Sequence, residues 1–312
     1  MLSHVTPSVL TALGGVLGIL VVASFIAALL KRLHPDKNYT ELIQRIRSWW
    51  IMIGIFSGAI LLSRTASILF FAFVSFLALK EYVSLIPTRR ADRRVLFWAY
   101  AAIPFQYYWV HEQWYGMFII FIPVYLFLLL PMRMVIIGET KDFLRAAGTL
   151  HWGLMTMVFS LSHAAFFLVL DGTRNPAGGG AGLVLYLIFL TQFNDVAQYV
   201  WGKLTGRHKI IPKVSPNKTW EGFLGGVGTT TALAMVLAPH LTPLTLVESV
   251  EAGLLIALGG FIGDVTISAL KRDIGVKDSG SLLPGHGGIL DRIDSLTYTA
   301  PLLFHFVYYL HY

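Results

Sequence analysis

The sequence predicts an all-α integral membrane protein, a polytopic bundle of about ten transmembrane helices. Three observations predict it. The chain is 55% hydrophobic with a mean hydropathy of +0.66, more apolar surface than a soluble domain of 312 residues can hide. Continuous apolar runs recur, and runs near twenty residues match a hydrocarbon core of roughly 30 Å. They do not alternate in polarity, which argues against a β-barrel. Finally, 22 of the 24 Lys and Arg residues fall in alternate loops, as the positive-inside rule requires.

The runs place spans at about 9–30, 49–63, 65–80, 95–110, 114–131, 149–171, 181–201, 222–239, 247–270 and 293–310. No Lys or Arg precedes the first run and no cleavage site stands out, so 9–30 is expected to remain as a span. The second and third are short and joined by the tight turn "LSRTA". One set of loops carries Lys31, Arg32, Lys37, Arg45 and Arg47, then Lys80, Arg89, Arg90, Arg93 and Arg94, then Arg133, Lys141 and Arg145. It continues with Lys203, Arg207, Lys209, Lys213 and Lys218, and ends with Lys271, Arg272, Lys277 and Arg292. Only Arg64 and Arg174 lie opposite, so the large loops are expected in the cytoplasm and both termini outside. This asymmetry accounts for the net charge of +7 without a nucleic-acid partner. The absence of cysteine excludes disulfides, thiolate metal sites and a Cys nucleophile. The stretch "DGTRNPAGGGAG" (171–182) reads as a flexible outer loop, and its glycines precede no Lys-Ser/Thr pair that would make a phosphate loop.

Charge inside or beside these runs needs a reason. Asp264 lies in the ninth run, seven residues before Lys271, and so about 10 Å inside the helix end. Ser268 and Lys271 share its face at i+4 and i+7. An intramembrane carboxylate usually faces a partner or a wet cavity, and an ion pair with Lys271 or Arg272 is the plainer alternative. Asp195, in "TQFNDVAQYVWG", sits at matching depth in the seventh run, beside Asn194, Gln198 and Tyr199. A hydrogen-bonded packing cluster is its plainer alternative. Asp291 and Asp294 open the tenth run, where helix N-terminal charge would explain one of them. It would not explain Gly285, His286, Gly287 and Gly288 in "PGHGGILDRIDS". Those glycines allow close backbone approach to a ligand, and His286 either serves the chemistry or braces the loop. His163, in mid-membrane, reads as a packing residue. Carboxylates at matched depth on three spans suit a hard divalent cation such as Mg²⁺. The cations Lys271, Arg272, Lys277 and Arg292, with Lys213 and Lys218, suit a polyphosphate. Together these are the parts of phosphoryl or nucleotidyl transfer.

The stretch "SALKRDIGVKDSGSLLPGHGGILDRIDS" (268–295) resembles the signature of membrane phosphatidate cytidylyltransferases, the CDP-diacylglycerol synthases. Ser, Lys-Arg, Lys-Asp, Pro-Gly-His-Gly-Gly and Asp-Arg-x-Asp all stand in place. "SPNKTWEGFLGG" (215–226) and the segment around Asn194 and Asp195 resemble the preceding family elements, so the likeness spans roughly 190–295. Gln198 stands where a small residue is expected. The resemblance implies that CTP and phosphatidate give CDP-diacylglycerol and pyrophosphate, a step of phospholipid biosynthesis. It implies Mg²⁺, with K⁺ as a second ion, at a centre including Asp264 and Asp291, and a functional lysine at Lys271. Asp195, Ser268 and His286 join these as catalytic candidates. Arg272, Lys277, Asp278, Lys213, Ser215, Lys218, Arg292 and Asp294 are the substrate-binding candidates. Residues 1–145 are read as helices of unplaced function, and 146–312 as the catalytic region with signature loops 202–221 and 271–292. The expected partners are CTP and a membrane lipid phosphate in a bacterial inner membrane, with a homodimer left open. Three alternatives remain at this point: another lipid phosphate or a polyprenol as acceptor, an ion-coupled transporter, and a non-catalytic relative.

Overall fold

The computed structural model describes residues 5–34, 38–89, 92–280 and 287–312; Lys37, Arg90, Gly285 and His286 lie outside them. Each predicted apolar run is found in a helical rod. The first is α1 (Pro7–Leu33), which opens with proline in its first turn and Thr6 as a side-chain cap, where a missing N–H costs nothing. Then come α2 (Thr40–Leu62) and α3 (Arg64–Leu85), hinged at the extended residue Ser63, whose Oγ accepts from the Ala66 N–H. After α4 (Arg93–His111), two rods each pass through a π-helical turn. α5 (Tyr115–Ile120) runs through Phe121–Leu126 into α6 (Phe127–Ile137), and α7 (Phe143–Leu154) runs through Met155–Ser160 into α8 (Leu161–Phe167). α9 (Gly179–Thr205) leads to a small antiparallel hairpin of β1 (Lys209–Ile211) and β2 (Ser215–Thr219). The chain continues as α10 (Trp220–Leu241), α11 (Leu246–Asp273), the single turn α12 (Leu290–Ile293) and α13 (Leu296–His311).

The protein is therefore a helical membrane protein that also carries a short hairpin. Seven helices among the described residues are long and apolar enough to cross a bilayer: α1, α2, α3, the α5–α6 rod, α9, α10 and α11. The sequence reading of about ten crossings exceeds that number for physical reasons. α4 carries Arg93, Arg94, Gln106 and His111 in nineteen residues. α13 has sixteen residues, about 24 Å of helix, and begins beyond a break at Asp294–Ser295. The second and third spans are longer than the sequence suggested. α2 starts nine residues before Trp49, at Thr40, and its first turns carry a Glu41–Arg45 ion pair of 2.6 Å on the exposed face.

Large apolar side chains cover the outside, among them Phe25, Leu69, Phe73, Phe97, Leu128 and Val236. A water-soluble protein rarely exposes apolar patches of that extent, whereas lipid would cover them. Inside, small residues let helices approach. At Gly263 on α11 a Cβ would strike the Asp294 carbonyl and the Ser295 Cα, so only glycine brings α11 against the α12–α13 break. Asn194 ties three helices together, its Nδ2 donating to the Ala257 carbonyl of α11 at 3.3 Å while its Oδ1 accepts from Thr230 Oγ of α10 at 3.2 Å. The 171–182 stretch is more ordered than a flexible loop. Asn175 is buried, and its amide donates to the Gly179 and Leu241 carbonyls. His163 packs as expected, fully buried among Phe118, Phe159 and Phe304, with Nδ1 2.8 Å from the Phe159 carbonyl.

Candidate active site

The break between α12 and α13 faces the ends of α9 and α11 across a cavity of about 290 Å³. Asp195 comes from α9, Asp264 and Lys271 from α11, and Asp278, Asp291, Arg292 and Asp294 from the chain after α11. Residues 100 positions apart thus share one polar chamber. Asp264 and Lys271 reach it together because seven residues are two helical turns.

Two ion pairs organise the chamber. Lys218 Nζ, from β2, lies 2.6 Å from Asp264 Oδ2, donates to Gln198 Oε1 at 3.1 Å, and stands 5.6 Å from the Phe261 ring centre. Ser268 Oγ approaches Asp264 Oδ1 at 3.3 Å. The alternative pairing of Asp264 with Lys271 or Arg272 does not form. Lys271 lies about 10 Å along the helix from it, and Arg272 turns to the Val214 carbonyl of the hairpin at 3.2 Å. Gln198, which departs from the expected small residue, is matched by Gly226, where a Cβ would overlap its side chain.

In the second pair, Lys271 Nζ lies 2.6 Å from Asp291 Oδ1. Asp291 Oδ2 accepts from the Ser279 N–H at 3.0 Å, the Ser279 hydroxyl at 2.9 Å and the Gly288 N–H at 3.0 Å. Burial alone would raise this carboxyl's pKa. The Lys271 ammonium and the backbone donors outweigh burial and hold it below the ordinary aspartate value. Deeper in, Ser295 Oγ lies 3.1 Å from both Asp195 Oδ1 and the Gly260 carbonyl, and the Ser295 N–H donates to Asp294 Oδ1 at 2.8 Å.

The other predicted residues are placed unequally. Asp278 is exposed and lines the chamber, while Lys213 and Lys277 are exposed outside its lining. Ser215 opens β2 and pairs with Ile211. Arg292 is half-buried, and its Nε has no hydrogen-bond partner among the described residues.

Two contributors come from the N-terminal half, where the sequence offered no motif. Glu81 on α3 accepts the N–H of Ile289 at 2.9 Å and of Leu290 at 3.0 Å. Trp49 on α2 lines the polar chamber. Glu81 follows Lys80 at the end of an apolar run, so by sequence it reads as ordinary helix-end charge. Trp49 also lines an apolar cavity of about 300 Å³ with Phe56, Phe71, Val74, Ile293 and Leu296. The two cavities share Trp49, Gln192 and Arg292.

The donor set is all oxygen, the chemistry of a hard cation. Among the described residues, no three carboxylates or histidines converge as a ready metal cluster. Asp264 and Asp291 each meet a lysine ammonium instead, so both already face positive charge.

A carboxylate-and-lysine chamber that shares wall residues with an apolar slot suits a reaction between a polyphosphate and a lipid. The profile of the cytidylyltransferase family matches residues 43–310. The chain belongs to the cytidylyltransferase family. The match takes in α2 to α6 almost entirely, so the N-terminal helices are part of the family likeness. The chain is 46% identical over 298 residues to uncharacterized protein YnbB of Escherichia coli (strain K12), covering 96% of this chain and 98% of that protein. It is 36% identical over 157 residues to the phosphatidate cytidylyltransferase of Staphylococcus haemolyticus (strain JCSC1435), and 37% identical over 158 residues to that of Staphylococcus aureus (strain COL). Each of these alignments covers 49% of this chain and 59% of the staphylococcal protein.

Proposed function

We propose that this cytidylyltransferase moves the cytidylyl group of CTP onto a lipid phosphate, with phosphatidate as the acceptor, giving CDP-diacylglycerol and pyrophosphate. The observation that carries the reading is the junction of the polar chamber with the apolar cavity at Trp49, Gln192 and Arg292. A substrate with an anionic head and an acyl tail needs both compartments at once. Arg292 lines both compartments, where a lipid phosphate would pass from one to the other.

In the proposed step a phosphate oxygen of the lipid attacks the α-phosphorus of CTP, and the bond to the β-phosphate breaks. A phosphate monoester already carries about −1.5 to −2 charge at pH 7, so no strong base is required. Charge neutralisation and in-line placement carry the catalysis. Lys218 and Lys271, with Arg272, Lys277 and Lys213 at the rim, would draw the triphosphate. Asp264 and Asp291 would hold Mg²⁺, which when bound supplies positive charge, and K⁺ would be the second ion. Asp195 and Asp294 would line the inner chamber, both hydrogen-bonded to Ser295, and Ser268 would orient Asp264. Residence in a bacterial inner membrane, with the Lys- and Arg-rich loops and this chamber on the cytoplasmic side, would fit the supply of CTP.

The test is incorporation of labelled CTP into lipid by detergent-purified protein, with phosphatidate and Mg²⁺, for wild type and Asp264→Asn. Liponucleotide from wild type, with a loss of at least a hundredfold in the variant, supports the reading. Product only with a polyprenol or another lipid phosphate would replace phosphatidate as the acceptor. No product from folded wild type with any acceptor would sink the reaction.

A further inference from the structure

We infer that Glu81 is a positioning residue of the site, holding the segment that carries Asp291 against the N-terminal helices. Its carboxylate spans two consecutive amides, Oε2 taking the Ile289 N–H at 2.9 Å and Oε1 the Leu290 N–H at 3.0 Å. These amides immediately precede Asp291. The surrounding backbone is shaped to admit the carboxylate. At Gly288 a Cβ would overlap Glu81 Oε1 and Ser279 Oγ, and at Gly280 it would press on Glu81 Oε2. The Gly288 N–H in turn donates to Asp291 Oδ2, so one short stretch of backbone answers to both carboxylates.

The helix that presents Glu81 is itself fixed in rotation. The next residue, Tyr82, is 1% exposed and points into α7. Its hydroxyl donates to the Thr149 carbonyl at 2.8 Å, and its ring fills the space that a side chain at Gly153 would need. Adjacent positions on a helix are about 100° apart, so seating Tyr82 in α7 aims Glu81 at the loop. α3 thereby links the α7 wall to Asp291, and through Asp291 to Lys271. This gives the N-terminal half a role in the site that no motif announces: it sets the place of Asp291 without touching substrate.

The experiment compares wild type, Glu81→Ala and Glu81→Gln in detergent by hydrogen–deuterium exchange of peptides spanning 287–293, with α10 peptides as the folding control, and by cytidylyl-transfer kinetics. The exchange arm is independent of function, whereas the kinetic arm rests on the reaction proposed above. Loss of the acceptor should speed exchange across 287–293 about tenfold in Glu81→Ala while α10 is unchanged. The same variant should lose about 10- to 100-fold in kcat, the scale of an ångström-level misplacement, with KM for CTP within about threefold of wild type. Glu81→Gln keeps one acceptor oxygen and should fall between the two, and it serves as the folded variant if Glu81→Ala does not assemble. Unchanged exchange in 287–293 would overturn the anchor. Faster exchange with wild-type kcat would overturn the positioning role. A folded wild type inactive with every lipid phosphate would sink only the proposed reaction, since exchange would still decide whether Glu81 holds the loop.

Discussion

Replacing Lys271 by Met tests the pair at the centre of the site. The Lys271 and Asp291 side chains are only 12% and 8% exposed, so solvent screens their 2.6 Å contact weakly. Removing one partner of a buried pair typically costs 3–5 kcal/mol, because the other charge is left without compensation. Here Asp291 Oδ2 keeps three donors, from Ser279 and Gly288, so the loss should sit at the lower end, about 3 kcal/mol. Asp291→Asn should cost a similar amount. An amide can offer oxygen either to Lys271 or to the Ser279 and Gly288 donors, and must turn its NH₂ against the other set. In the double variant neither charge is left alone. The penalties should then fall short of additive by about 2 kcal/mol, within the range for contacting residues. Thermal unfolding in detergent, followed by tryptophan fluorescence, reads this as a drop of about 6 °C for each single variant and about 8 °C, rather than 12 °C, for the double. Additive drops would refute the pair as a structural unit. All three variants should be inactive in cytidylyl transfer even where stability returns, because stability needs only the absence of an unpaired charge while the proposed chemistry needs both groups.

Two further outcomes follow from the packing. Val74→Trp would fill the apolar cavity beside Phe71 and Trp49, so kcat/KM for long-chain phosphatidate should fall at least tenfold while a short-chain analogue changes less than threefold. Equal losses with both lipids would remove that cavity from the substrate path. Asn194→Ala strips the contacts that join α9 to α10 and α11, leaving Thr230 Oγ and the Ala257 carbonyl without that partner. It should lower stability by about 1–3 kcal/mol, seen as a lower thermal midpoint in detergent, and an unchanged midpoint would show that the bridge is not formed.

Much of the chamber's lining was legible in the sequence because its groups are expensive where they stand. Asp195 and Asp264 drew attention as carboxylates inside apolar runs, and they do line one chamber with Lys271, Asp291 and Asp294. What failed was pairing. Asp264 has Lys271 and Arg272 on its own helix, yet its partner is Lys218, forty-six residues earlier in the chain, delivered by a hairpin that no apolar periodicity announces. Span lengths failed in a similar way. Charges near the start of α2 hid its first turns, and the break at Asp294–Ser295 shortened α13.

The sequence by itself determined that the chain is helical and membrane-embedded, and which loop carries the charge, because burying apolar surface and satisfying the backbone inside lipid leave few other solutions. Only the tertiary structure decided which charge meets which, and that α2 and α3 bring Trp49 to the chamber wall and Glu81 to the amides before Asp291. Those contacts join residues up to 209 positions apart, and their energy depends on distance and burial, which exist only once the helices have packed.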